Sequence, residues 1–188
     1  MMGFRLALAV VGAVSLLAAS SEASLVVPPS FEALVATAGD IFFGQVTART
    51  SRFEMRGAKR LVVTDVTYRI EEVLKGERAA LRTLTFLGGQ VGEVRMDVPG
   101  IPTFMVGDRD VLFVQRGRAS LMPIVGMFHG RFRVVTGPGG AGLFVGNNSR
   151  QPINSVGEYA RPSRGLAAAR PLALNDFLQT VRTIAAGR

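Results

Sequence analysis

Hydrophobic and polar residues alternate most clearly in VVTDVTYRIEEVLKG. Val62, Thr64, Val66, Tyr68 and Ile70 fall in one register, and Val63, Asp65, Thr67, Arg69 and Glu71 in the other. A period of two predicts a strand with one buried face, here ended by Lys75 and Gly76. Upstream, IFFGQVTAR reads as a strand in which Gly44 marks a bulge or tight bend. Downstream, TLTFLGG and EVRMDVPG continue the theme, with Val94, Met96 and Val98 facing one way and Glu93, Arg95 and Asp97 the other. GDRDVLFVQRG, LMPIVGMF and RFRVV supply three more short strands. Strands at this spacing, with glycine-rich joints, predict a mainly β chain of five to six antiparallel strands in a closed or nearly closed barrel.

Helical periodicity is confined to the flanks. In SLVVPPSFEALVATAGD two prolines end an extended lead, Ser30 can cap a short helix, Phe31, Leu34 and Val35 share a face, and Gly39 closes it. Past Thr136 the texture changes to GPGGAG, a brief LFVG strand, and a polar stretch punctuated by Pro152, Pro162 and Pro171 that reads as a linker. LNDFLQTVRTIAAG then predicts a helix capped by Asn175, with Phe177, Leu178, Val181 and Ile184 on one face to pack back on the barrel. The expected division is a signal peptide over 1–23, a β-barrel domain over 24–136, a Gly/Pro-rich extension and linker over 137–171, and a C-terminal helix over 172–188.

The first residues carry the three parts of a secretory signal. Arg5 is the positive flank, LALAVVGAVSLLAAS the apolar run, and Ser21-Glu22-Ala23 places small residues at both positions a signal peptidase reads. This predicts cleavage after Ala23 and a secreted or periplasmic protein. A membrane anchor is the competing reading, but the run is about 15 residues against the roughly 20 needed to span a bilayer. Removing 23 residues from 188 leaves 165, enough for one domain with its own core. The chain has no cysteine, which excludes disulfides, thiol nucleophiles, redox pairs and cysteine-based zinc clusters. The fold must hold by packing alone.

The formal net charge of +8 hides an uneven distribution. Residues 24–114 hold 11 Lys or Arg and 11 Asp or Glu, whereas from Gln115 onward ten arginines face only Glu158 and Asp176. A basic surface of this kind attracts nucleic acid, acidic glycans or anionic membrane. Arg116, Arg118, Arg131 and Arg133, with Phe128 and Phe132, form a basic-aromatic set of the type that binds single-stranded nucleic acid. Yet Phe132 between Arg131 and Arg133 is also the pattern of a half-buried strand, and 20 Arg against 2 Lys is equally the mark of a biased genome.

Candidate catalytic groups lack companions. His129, the single histidine, sits in GMFHGRFRV with no local Ser-His-Asp pattern, and a metal site needs three or four ligands. Glu71 and Glu72 are neighbours on a strand and point to opposite faces. Asp108 and Asp110 read as a turn leading into a strand. Gly88-Gly89-x-x-Gly92 precedes no helix that could supply a phosphate-binding N-terminus, and reads as a hairpin turn. No catalytic residue, metal ligand or cofactor site is assigned, and the expectation is a protein that is not an enzyme.

The order of short lead, helix, IFFGQV, the long strand VTYRIEEVLKG, a Gly-rich hairpin and VGDRDVLFV resembles the netrin-like modules, whose best-known members are the tissue inhibitors of metalloproteinases. The likeness covers residues 24–135. It is most specific at VTYRIEEVLKG and at SLVVPPS, which looks like the inhibitors' Cys-x-Cys-Val-Pro-Pro opening, with Val27, Pro28 and Pro29 matching. The resemblance implies a five-stranded OB-type barrel. It further implies that the freed amine and carbonyl of Ser24 chelate a protease's zinc, which requires a neutral amine. Leu25 would enter the pocket beside the zinc, and Val26, Val27, Pro28 and Pro29 would form a stiff ridge. The family's cysteines, which staple that ridge to the barrel, are absent here. The expectation is an exported binding module with a protein partner, in its sharpest form a secreted metalloprotease. The alternative is a basic OB-type barrel that binds nucleic acid or acidic glycan through Arg116, Arg118, Arg131 and Arg133.

Overall fold

The computed structural model describes residues 28–117, 120–140, 142–160 and 170–187. The expected signal peptide, Ser24, Leu25, Val26, Val27 and Arg118 lie outside these residues. Helix α1 (Phe31–Thr37) begins as its sequence predicts, the Ser30 hydroxyl accepting from the Ala33 N–H at 3.1 Å. Phe31, Leu34 and Val35 are buried. Gly39 has a different task from the helix closure expected of it. The helix ends on an extended Ala38, and a side chain at Gly39 would meet the Arg116 backbone at 3.1 Å.

Strands β1 (Asp40–Arg56) and β2 (Lys59–Lys75), of 17 residues each, form a long antiparallel hairpin. Gly57 and Ala58 make the turn, and Gly57 takes the φ of +60° that a tight hairpin requires at its first central position. A register shift falls between Phe43 and Gly44, where a Cβ would lie 2.7 Å from the Arg69 carbonyl oxygen. Glycine here permits the bulge that IFFGQV predicts.

The remaining strands are β3 (Leu81–Leu87), β4 (Gly89–Val91), β5 (Val94–Met96), β6 (Arg109–Val114), β7 (Arg131–Thr136) and β8 (Leu143–Gly146). Six of them form one sheet in the order β3-β2-β1-β6-β7-β8, and β4-β5 is a small separate hairpin turned at Gly92. The six-stranded sheet has two ends, and no ladder among the described residues joins β3 to β8 into a closed barrel. LMPIVGMF, expected as a strand, contributes only the isolated Val114–Ile124 bridge. Pro123 has no N–H to offer a ladder, and Gly126 and Met127 both turn left-handed at φ +63°. EVRMDVPG pairs only from Val94 to Met96.

The sheet is covered on both sides. Ile41, Phe43, Val111, Phe113 and Phe132 pack beneath α1 and helix α2 (Leu174–Ala185), while Phe42, Val46, Val66, Tyr68, Leu112 and Val114 form a second layer with Phe86 and Phe104. Strand β6 is therefore buried on both faces, which explains its unbroken apolar run VLFV. Phe132 sits at the centre of the first layer, its ring 4.8 Å from Phe177, 5.3 Å from Phe113, 5.6 Å from Tyr159 and 5.7 Å from Phe31. Helix α2 starts one residue before the expected Asn175 cap region, with Ala173 as N-cap, and buries Phe177, Leu178 and Val181. The stretch expected as extension and linker adds β8 to the sheet and Ile153 and Tyr159 to the core.

Candidate functional site

Of the four arginines expected on one basic face, the three described do not form one solvent-exposed face. Arg116 is exposed beside Gly39. Arg131 and Arg133, which the sequence places on a solvent surface, are buried, Arg131 to 1% exposure. They do alternate with Phe132, but the face of β7 opposite Phe132 is also covered. The loop carrying Thr103 and Phe104 lies over it, and Asp110 is directly across the β6–β7 ladder from Arg133.

A charge network results. Arg131 donates from Nη1 to the Thr103 carbonyl at 2.8 Å and from Nη2 to Asp108 Oδ2 at 3.1 Å and Asp110 Oδ2 at 3.0 Å. Its guanidinium stacks 4.1 Å from the centre of the Phe104 ring. The Tyr68 hydroxyl donates to Asp110 Oδ2 at 2.8 Å. Arg133 and Arg150 pair with Asp108 Oδ1 from outside, Arg150 at 3.0 Å. Among the fully buried side-chain atoms of this network, Asp110 Oδ1, with Arg133 Nε at 3.5 Å, and Arg131 Nε lack a full hydrogen bond. Burial and then the Asp110 charge push the Tyr68 phenol well above its ordinary pKa, so it remains a donor. The two aspartates considered for acid-base work are thus held by guanidinium groups. Glu71 and Glu72 are likewise engaged separately, by Arg109 at 2.6 Å and by Arg182 of α2.

Asp108 gives this network a pH signature. Burial pushes its carboxyl up, but the Met105 N–H at 2.9 Å and the guanidinium groups of Arg133, Arg131 and Arg150 outweigh that and hold it below the usual range. Its contribution is therefore present above the unfolded value of about 4 and lost as pH falls through the lower folded value. The urea midpoint is expected to fall on acidification below about pH 4, with a shallower slope in the Asp108→Asn variant. An unchanged slope in that variant would show that other carboxylates set the acid limit.

His129 lies in the turn between Val125 and β7, half-buried, with Phe128 at 4.3 Å and the Tyr159 ring edge-on at 6.0 Å. Burial lowers its pKa, leaving a neutral imidazole at pH 7. It lines an open cleft of about 430 Å³ together with Ile101, Asn148, Ser149 and Tyr159, and among the described residues no acidic side chain lines that cleft to orient the imidazole. Among the described residues no group of three or more His, Asp or Glu side chains is placed to hold a metal ion.

The same cleft touches the N-terminal lead. The Tyr159 hydroxyl donates to the Pro29 carbonyl across 130 residues of sequence, and the Pro29 ring lies 3.4 Å from where a Gly126 Cβ would stand. Pro28 and Pro29 are half-buried. Tyr159 was legible only as a lone aromatic in the polar stretch NSVGEYARP, and nothing local marks its partner. No protein-family model, no curated protein and no solved structure matches this chain.

Proposed function

We propose that this chain is an exported binding module, not an enzyme, that engages a protein partner through residues 24–29, with inhibition of a secreted metalloprotease as its sharpest form. The observation that carries the reading is the anchoring of Pro29 by Tyr159 against Gly126. A chelating N-terminus needs a ridge held to the body of the protein, and a cysteine-free chain has to hold it without disulfides. The Tyr159 hydrogen bond to Pro29, the described end of that ridge, and the fixed φ of two consecutive prolines support this reading. The second apolar layer under Phe104 is what the interior of a small barrel contains, and supports an OB-like, netrin-like arrangement left open between β3 and β8. The competing reading through Arg116, Arg118, Arg131 and Arg133 loses two of its four cations to internal pairing.

Protein beginning at Ser24 is expected to inhibit a matrix-type metalloprotease, and protein with one residue added before Ser24 is expected not to. Tyr159→Phe keeps the ring and removes the anchor, weakening inhibition roughly two- to tenfold. Equal potency with and without the added residue would sink the chelation mechanism.

A further inference from the structure

Strand β1 outruns its neighbour. β6 pairs with it only from Asp40 to Gln45, and two last bonds, Val46 N–H to the Asp108 carbonyl at 2.8 Å and Gly107 N–H to the Val46 carbonyl at 2.9 Å, end the contact. The register shift between Val46 and Ala48 follows at once. From residue 48 to 56, β1 is paired with β2 on one side, and among the described residues no strand pairs with its other side. Nine residues at about 3.3 Å each leave an edge roughly 30 Å long, on which every second residue turns its N–H and C=O outward.

The surroundings of this edge are specific. Residues 47–61 carry Arg49, Arg52, Arg56, Lys59 and Arg60 against Glu54 alone, a local charge of +4 out of +8 for the whole chain. Arg52 is shared between Asp65 and Glu54, Arg56 reaches Glu54, and Arg60 lies over the Phe53 ring at 4.6 Å. Apolar side chains stand exposed along and beside it, Phe53 at 38%, Met55 at 61% and Val106, at the turn where β6 departs, at 65%.

We infer that residues 48–56 of β1 form a docking edge for an extended acidic segment of a partner protein, which adds to the sheet as a strand beside β6's end. An open edge presents donors and acceptors in alternation, and another extended chain matches both. A phosphodiester backbone offers acceptors only. The charge selects among chains. A second copy would bring +4 against +4, and basic residues are what natural edges use to repel self-pairing, whereas an acidic strand is attracted. Phe53, Met55 and Val106 give its apolar side chains a place to settle. This surface is argued from none of residues 24–29, and its test involves no protease.

The probe is a capped ten-residue peptide alternating valine and glutamate, added to the protein beginning at Ser24. Binding is followed by fluorescence anisotropy and by amide hydrogen exchange. Slowed exchange within 48–56 is expected, with about tenfold weaker binding of the valine–lysine counterpart and loss of binding when alternate peptide amides are N-methylated. Arg49→Glu with Lys59→Glu should narrow or reverse the preference between the two peptides. Equal binding of the N-methylated peptide would reduce the effect to charge alone and overturn the inference. So would protection of 48–56 by a 20-base-pair DNA duplex but not by the peptide, or by self-association in sedimentation.

Discussion

Asp110→Ala is expected to lower the unfolding free energy by about 3–5 kcal/mol, a large share of the total for a domain of this size, and to do so without touching any surface residue. Asp110 has 0% exposure and accepts from both Arg131 and Tyr68. Its removal leaves Arg131, itself buried, with Asp108 as its remaining carboxylate. The cost comes from buried groups left short of partners more than from the lost bond, since Arg131 and Arg133 then share Asp108 and the Tyr68 hydroxyl loses its acceptor. For that reason the pair Asp110→Leu with Arg131→Met should recover much of the loss, because an apolar replacement of a buried ion pair is often neutral. Urea denaturation of the two variants checks both parts. A loss under about 1 kcal/mol for Asp110→Ala would mean that the network is hydrated and behaves as a surface salt bridge.

Phe132→Ala is expected to cost about 3–5 kcal/mol by leaving a cavity among the four rings that surround it. Phe128→Ala, at a ring 37% exposed on the rim of the cleft, should stay within about 0.5 kcal/mol. The comparison separates two side chains that look equivalent in GMFHGRFRV. If Phe132 were a stacking platform for bases, its loss would weaken nucleic-acid binding and leave the urea midpoint unchanged.

These two residues show what a single sequence discloses. Periodicity located β2, where Val62, Val66 and Tyr68 are buried as expected, and local chemistry located the Ser30 cap, the Gly44 bulge and the hairpin at Gly92. Burial on both sides of the sheet was not legible, because period-two reasoning assigns one face to water. Strand β6 escapes that rule, with Val111 and Phe113 in the layer under the helices and Leu112 and Val114 in the layer under Phe104. Nor could a charge count tell that Arg131 meets Asp110, since pairing across a ladder 21 residues apart leaves no local mark. Averaging hid a cluster at the tip of the β1–β2 hairpin. Eleven basic and eleven acidic residues cancel over 24–114, and the concentration of five cations between 49 and 60 disappears in the sum. The Tyr159–Pro29 anchor was hidden for the same reason as the network.

The long β1–β2 hairpin also sets an order of events. Its two strands are consecutive, its turn is two residues, and closing so short a loop costs little chain entropy. Pairing there should run ahead of the sheet's distant joins, since hairpins form in about 1–10 μs while contacts of high sequence separation are slow. β6 must then cross from residue 109 to find the edge at Asp40 to Gln45, and its arrival brings Val111 and Phe113 to one apolar layer and Leu112 and Val114 to the other. Until it does, the nascent chain carries a marginal ribbon whose β1 edge is open along its whole length, and the arginines near its tip are then the guard against sticking to its siblings.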